Sequence, residues 1–322
     1  MKQQQEGRTV ESRIKFSLNT QIVVLIVAIA MWIFLGIVSP YFFTTGNIQS
    51  VMRQMTIQGI LGIAEVMVII TAGIDLSVGG VVAFVNIVMS KMVSAGSNIA
   101  STILLVMMLS ALIGLANGMM VYNLRIPPFI ATLGMMSVLR GATLLISNGS
   151  NIFGLPRSIA DFSSTNTFGI PNLFWFLILS VVIIEIVLRY TSFGRYVYAL
   201  GSNIEAARLS GVNIRNVTYG VYILASTLCG LAGVLETSRL WMGVPTTGTG
   251  YELDAIAAAV LGGASLMGAE GTPLGAFIGA LVMTTIYNGS VLLNVNPFWT
   301  RIIVGVILVV TVAIDQLRKG RR

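Results

Sequence analysis

The sequence contains no histidine and a single cysteine, and Asp, Glu, Lys and Arg together make up 10% of its 322 residues. Without histidine there is no imidazole metal ligand and no catalytic histidine, and one cysteine builds neither a disulfide framework nor a Cys-rich zinc site. Cys229, in an apolar stretch, reads as a small packing residue. The shortage of charge excludes more. An ordinary soluble domain carries about 25% charged and about 45–50% apolar residues. Here 55% are hydrophobic and the mean hydropathy is +0.88, so too little charge remains to coat a 34.4 kDa globule. A water-soluble enzyme is excluded, and the chain reads as an all-α integral membrane protein.

What charge there is lies in clusters, and the net charge is +7. Lys2, Arg8, Arg13 and Lys15 precede the first apolar segment. Arg189, Arg195, Arg208 and Arg215 surround a central polar loop, and Arg318, Lys319, Arg321 and Arg322 end the chain. Positive clusters beside apolar spans mark cytoplasmic segments, so the basic balance reports membrane orientation and not nucleic-acid binding.

Residues 22–38 are too long an apolar run for a signal peptide and end in Ser39-Pro40-Tyr41 without a small-residue cleavage site, so they read as an uncleaved span. Further apolar segments follow at about 48–71, 77–95, 99–122, 127–148, 171–189, 216–240, 252–268, 273–290 and 297–315. About ten spans put all three basic clusters on one side. The chain then divides into a cytoplasmic segment 1–20, a transmembrane domain 21–317 with a cytoplasmic loop at about 190–215, and a basic tail 318–322. The segments 77–95 and 252–268 are Gly- and Ala-rich and follow polar breaks, which suits re-entrant or broken helices. Ala72-Gly73-Ile74-Asp75-Leu76 and Tyr251-Glu252-Leu253-Asp254-Ala255 lead into them in opposite senses, the arrangement of an inverted 5+5 repeat.

In the central loop, Asn203 is placed to cap a short helix with a small face at Ala206 and Ala207, and Gly211 is a natural stop. Such a helix suits docking into a groove on a soluble partner; a plain solvated connection is the alternative. The stretch Gly201-Ser202-Asn203-Ile204-Glu205-Ala206-Ala207-Arg208-Leu209-Ser210-Gly211 resembles the coupling loop of ABC-importer permeases. Thr71-Ala72-Gly73-Ile74-Asp75-Leu76-Ser77-Val78-Gly79 and Pro128-Phe129-Ile130-Ala131-Thr132-Leu133-Gly134 resemble signatures of the monosaccharide, ribose-type branch. So does the run from Gly248 to Ala258, and the resemblance extends over about 40–315.

The resemblance implies the ABC importer permease fold, working as a dimer with a second copy or a paralogue in the bacterial inner membrane, both termini cytoplasmic. A cytoplasmic ATP-binding subunit would drive it and an external sugar-binding protein would feed it. The four lysines follow Met1, Ile14, Ser90 and Arg318, so the chain has no Gly-Lys pair and no phosphate-binding loop of its own. No cofactor is expected here, ATP being held by the partner. The coupling residues expected are Gly201, Asn203, Glu205, Ala206, Ala207, Arg208 and Gly211. A nucleoside permease of the same build, and more remotely an ATPase-independent secondary carrier, are the rival readings.

Charges inside spans are costly and mark a pathway or a buried pair. Glu65 in the second span and Arg140 in the fifth are read as a neutralising pair or a polar lining, ahead of proton coupling; Glu185 and Glu236 lie near span ends. Arg53, Arg239 and Arg301 are placed to snorkel outward. Asp75, with Ser77 beside it, and Asp254 are expected to cap the helices that follow, ahead of touching substrate. Asn86, Asn117, Ser137, Thr143 and Asn288 offer interhelical hydrogen bonds or sugar contacts. The stretch 149–172 reads as the longest external loop.

Overall fold

The computed structural model describes the backbone of residues 2–319 and the side chains of residues 20–313. The charged side chains of the expected terminal segments 1–20 and 318–322 lie outside the described residues. The first half of the chain forms Lys2–Val38 (α1), Thr45–Ile70 (α2), Val78–Ser94 (α3), Ile99–Tyr122 (α4) and Pro128–Ser147 (α5). A surface helix, Arg157–Ser164 (α6), and a small hairpin of Asn166–Thr167 (β1) and Ile170–Pro171 (β2) replace the plain loop expected at 149–172. Then come Asn172–Tyr190 (α7), Ser192–Ser202 (α8), Ile204–Leu209 (α9), Ile214–Leu240 (α10), Tyr251–Leu261 (α11), Pro273–Leu292 (α12) and Pro297–Lys319 (α13).

Among the described residues, seven helices are long and apolar enough to cross a bilayer: α1 from Thr20 onward, α2, α4, α5, α7, α10 and α12. Val78–Ser94 and Pro297–Ala313 are apolar but shorter. The span expected at 252–268 is not continuous. α11 has 11 residues, about 16 Å of helix, and residues 262–272 run on without helix. Gly263 turns there with φ +94°, and a Cβ on Gly262 would meet the Gly275 carbonyl at 2.2 Å, so the chain leaves the helix where it presses on α12.

α2 and α10 form the centre. α2 packs on α7, α10, α11 and α12, and α10 on α2, α3 and α4. α1, α4, α5, α7 and α13 turn apolar side chains outward, among them Ile33, Leu112, Leu145, Leu179 and Val306, a surface suited to lipid or to another membrane-embedded chain and not to water. At one end of the bundle, Gln21 Nε2 donates to Thr272 Oγ1 (2.6 Å) and Ala269 N donates to the Ile70 carbonyl (2.8 Å) beside Gly201. At the other, Asn47 and Asn288 exchange amide hydrogen bonds and Ile152 bridges Gly243. The α8–α9 loop and the start of the apolar part of α1 therefore share an end, as an even number of crossings requires.

Candidate functional site

Two non-helical segments enter the bundle from opposite ends. Residues 71–77 leave α2 at the α8–α9 end and climb to α3, while residues 241–250 leave α10 at the other end and run down along α3. Contacts mark the descent: a Cβ on Gly243 would lie 2.8 Å from Ser90 Cβ, and one on Gly248 would lie 2.3 Å from the Gly79 carbonyl. Asn86, on α3, holds this strand. Its Nδ2 donates to Thr237 Oγ1 and the Met242 carbonyl (both 3.0 Å), and its Oδ1 accepts from Val244 N (2.7 Å). The two segments thus meet at Gly79 and Gly248, where the first turns of α3 and α11 converge. Broken helices of this kind are where membrane proteins place polar backbone that serves a pathway.

The first break is closed by side chains. Asp75 does not cap α3, whose N-cap is Ser77 without a side-chain cap bond; its Oδ1 accepts from Ser77 N (2.8 Å) and Ser77 Oγ (2.6 Å), which orders the turn before the helix. Ser77 Oγ accepts from Asn117 Nδ2 on α4 (3.0 Å), Leu76 N donates to Thr132 Oγ1 on α5 (3.1 Å), and Asp75 N donates to Glu65 Oε1 on α2 (3.1 Å). Glu65, Asp75, Ser77 and Asn117 are all buried. Arg140 does not neutralise Glu65, as the sequence suggested. Its Nη1 donates to the Thr247 carbonyl (2.6 Å), and its guanidinium faces the Gly79–Glu252 region, because α5 packs on α3 and not on α2.

The second break is tied more loosely and borders an opening. Asp254 does not cap α11, whose N-cap is Gly250 without a side-chain bond. It sits inside the first turns, where its carboxylate accepts from Tyr287 Oη (2.8 Å) and approaches Gln58 Nε2 (3.5 Å). The five-residue likeness read from the sequence therefore pairs a non-helical segment around Asp75 with helix around Asp254. Glu236 is held by Arg239 (2.7 Å) and by Tyr251 Oη (3.0 Å), and Arg53 donates to the Ser163 carbonyl (3.0 Å), so neither arginine snorkels freely. Asn288 binds Asn47, and the hydroxyls of Ser137 and Thr143 donate to their own helix at Leu133 and Leu139.

The α8–α9 loop begins at Thr191, whose hydroxyl caps α8 through Gly194 N (3.2 Å). Asn203 caps α9 by accepting from Glu205 N and Ala206 N, both at 3.0 Å, and Gly211 turns with φ +81°. The expected small face needs correction. Ala207 is 5% exposed and packs inward, because an α-helix after this cap puts only one alanine on the bundle side. Ile204, Glu205, Ala206, Arg208 and Leu209 face outward, and Glu205 and Arg208 pair at 3.2 Å. Gly201 is a joint and not a surface residue. A Cβ there would lie 1.8 Å from the Ile70 carbonyl and 2.8 Å from Ala269 N. Tyr198 Oη donates to the Gly271 carbonyl (2.7 Å), and burial, with the Glu185 carboxylate second, pushes the phenol above its ordinary range so that it stays a donor. α8 thereby grips the start of the first break and the end of the 262–272 turn together.

Sequence reasoning missed Gln58 and Tyr287, and it had Gly79, Thr132 and Gly248 only as members of the family signatures, without a role of their own. Gln58, an amide deep in an apolar span, was the available signal.

Known proteins resemble this chain along most of its length. The family model described as branched-chain amino acid transport system, permease component, matches residues 47–312. Ribose import permease protein RbsC of Escherichia coli (strain K12) is 38% identical over 298 residues, covering 90% of this chain and 93% of that protein. The D-allose transport system permease protein AlsC of the same strain is 35% identical, covering 91% and 90%. The L-arabinose ABC transporter permease protein AraH of Azospirillum brasilense is 34% identical, covering 93% and 88%. No solved structure matches the chain.

Proposed function

This chain belongs to the family of branched-chain amino acid transport system permease components, and on that premise we propose that it is the membrane-spanning subunit of an ATP-driven importer of a monosaccharide. Its full-length relatives named for ribose, allose and arabinose support a sugar as the cargo. The subunit works as a dimer with a second copy or a paralogue in a bacterial inner membrane, with the α8–α9 end and both termini cytoplasmic. It holds no cofactor; ATP is bound and hydrolysed by a cytoplasmic partner, and an external binding protein delivers the sugar. The lipid-facing helices carry it in the bilayer, and it binds no nucleic acid. α2 packs on α11 and α12 as α10 packs on α3 and α4, and the breaks enter from opposite ends; both support an inverted 5+5 repeat.

The mechanism is alternating access, and the observation that carries the coupling is the joint at Gly201. The ATPase docks on the outward face of α9, at Glu205, Ala206, Arg208 and Leu209. Asn203 and Gly211 fix the helix that makes this face. A displacement of α8 is passed through backbone contacts to Ile70 and Ala269, hence to both the first break and the turn that follows α11. Close-packed backbone with no side chain between transmits such a shift with little loss, since interiors are dense and bistable.

The test uses Leu209, which is 87% exposed and packs on nothing that the fold needs. Leu209→Asp is expected to leave membrane insertion intact while abolishing both copurification of the ATPase and ATP-driven sugar uptake in proteoliposomes. Uptake by this chain alone, without ATP, would overturn the importer reading in favour of a secondary carrier.

A further inference from the structure

A cleft of about 500 Å³ lies beside the second break, within the range of roughly 300–1,000 Å³ that holds small molecules. Gln58 of α2, Arg239 of α10, Tyr251 and Asp254 of α11, Tyr287 of α12 and Arg301 of α13 stand on its polar wall, Arg239 being paired with Glu236. Val295 and Pro297 also line it, so it opens toward the end where Asn47 meets Asn288, the end opposite α8–α9.

Its chemistry is specific. Asp254 is held in one orientation: Tyr287 Oη donates to Oδ1 at 2.8 Å, and Gln58 Nε2 stands 3.5 Å from Oδ2. Gln58 is itself fixed, because its Oε1 accepts from Thr284 Oγ1 (2.9 Å). The long Gln58 contact leaves Oδ2 with acceptor capacity. Arg301, on the cleft wall, makes no ion pair or hydrogen bond among the described residues. A fixed carboxylate with spare lone pairs and a guanidinium that attracts it without touching it therefore share one cleft. Adjacent hydroxyls of a neutral polyol answer both, donating to the carboxylate and accepting from the guanidinium. The rings of Tyr251 and Tyr287 offer apolar surface for the C–H face of such a ring. A cationic ligand would meet the Arg301 and Arg239 guanidinium groups, and an anionic one the Asp254 carboxylate.

We infer that this cleft receives the monosaccharide as it leaves the binding protein, with Asp254 and Arg301 contacting its hydroxyls. The inference rests on the importer reading above. It also explains why the second break, and not the first, lies open. The contacts are few, so the sugar is held loosely enough to be passed on.

The experiment reconstitutes the permease with its ATPase and binding protein in proteoliposomes and measures uptake of ribose and of 2-deoxyribose. Asp254→Asn and Arg301→Gln are each expected to lower ribose uptake about tenfold or more, the scale of one charge-assisted hydrogen bond. They are also expected to shrink the preference for ribose over its deoxy analogue, while ATP hydrolysis stimulated by the binding protein persists. A second measurement does not depend on those variants folding. Ser290→Cys on the cleft wall is labelled with a membrane-impermeant maleimide, Cys229 being buried and silent. Ribose at high concentration is expected to slow labelling, and leucine is not. Unchanged discrimination in both variants, or slowing by leucine and not by ribose, overturns the sugar assignment, the latter marking a zwitterion site. Wild-type protein that shows no ATP-dependent sugar uptake would fail the importer reading itself, and the inference with it.

Discussion

Residues 71–77 and residues 241–250 both carry the chain through the bundle without helix, yet they satisfy their backbone differently. In the first, side chains from α2, α4 and α5 close around the segment, and Asp75 spends Oδ1 on Ser77 with Glu65 directly behind it. In the second, Asn86 holds the segment along α3, Ile152 pairs with Gly243 and Arg140 reaches the Thr247 carbonyl, and the acid that follows borders a cleft. The first is built as a sealed knot and the second as the wall of an opening. An intramembrane carboxylate is expensive in either place. It is retained in one to organise backbone and in the other to keep capacity for a solute. The two segments nevertheless share a fulcrum at Gly79 and Gly248, so neither moves without the other.

That fulcrum is where the largest effect is expected. Gly248 has φ +69°, and its Cβ position lies 2.3 Å from the Gly79 carbonyl. Gly248→Val adds left-handed strain of about 1–2 kcal/mol to overpacking of about 1–3 kcal/mol against backbone that cannot rotate away. A loss on the order of 3 kcal/mol or more is expected, read in mild detergent as the temperature at which buried Cys229 becomes reactive to a thiol dye. Gly134→Ala is the control. Nothing lies within 4 Å of its Cβ position, and the variant is expected to be unchanged or up to about 1 kcal/mol more stable. Equal behaviour of the two would remove the fulcrum.

A middle-sized effect separates the ties of the two segments. Asn86→Ala leaves Val244 N and the Met242 carbonyl without partners, and about 1–3 kcal/mol is expected. Thr132→Val removes the acceptor of Leu76 N and a donor to the Ile74 carbonyl from a segment that keeps its Asp75, Ser77 and Asn117 bonds. About 1 kcal/mol or less is expected there, since interhelical hydrogen bonds in membranes average about 0.6 kcal/mol. If Thr132→Val proved the costlier, the contrast between a redundant knot and a segment that depends on Asn86 would be lost.

Much of this organisation was legible in the residues. Hydropathy reads long lipid-facing helices well, and Gly and Ala after a polar break marked 77–95 and 252–268 as weak spans. The Asn203 cap and the Gly211 stop follow from local backbone chemistry, which needs no tertiary partner. The rest depends on depth and facing. Residues 241–250, with Gly243, Pro245 and two threonines before Gly248, look like a surface turn until Asn86 and Gly79 are seen beside them. Arg140 seemed a partner for Glu65 because both are isolated intramembrane charges, but α5 lies against α3. Ala206 and Ala207 looked equivalent on a short helix, and only the bundle beneath distinguishes the buried one.

The smallest effect is the one that tests the contrast between the two acids. Asp75→Asn keeps an acceptor oxygen for Ser77 N and Oγ and relieves the crowding of two carboxyl groups, so stability is expected to stay within about 1 kcal/mol of wild type. Because Asp75 is 1% exposed and its bonds end within the protein, no delivered hydroxyl reaches it. Asp75→Asn is therefore expected to change the ribose to 2-deoxyribose uptake ratio by less than about twofold, a shift worth less than half of the roughly 1.4 kcal/mol that a tenfold change represents. The same isosteric change at Asp254 acts on a carboxylate that faces the cleft and alters that ratio. A large change in discrimination from Asp75→Asn would mean that the sealed segment opens during transport and that sugar passes both acids in turn. The midpoint contact of Gly79 with Gly248 would then be a gate between two subsites instead of a fulcrum between a knot and a wall.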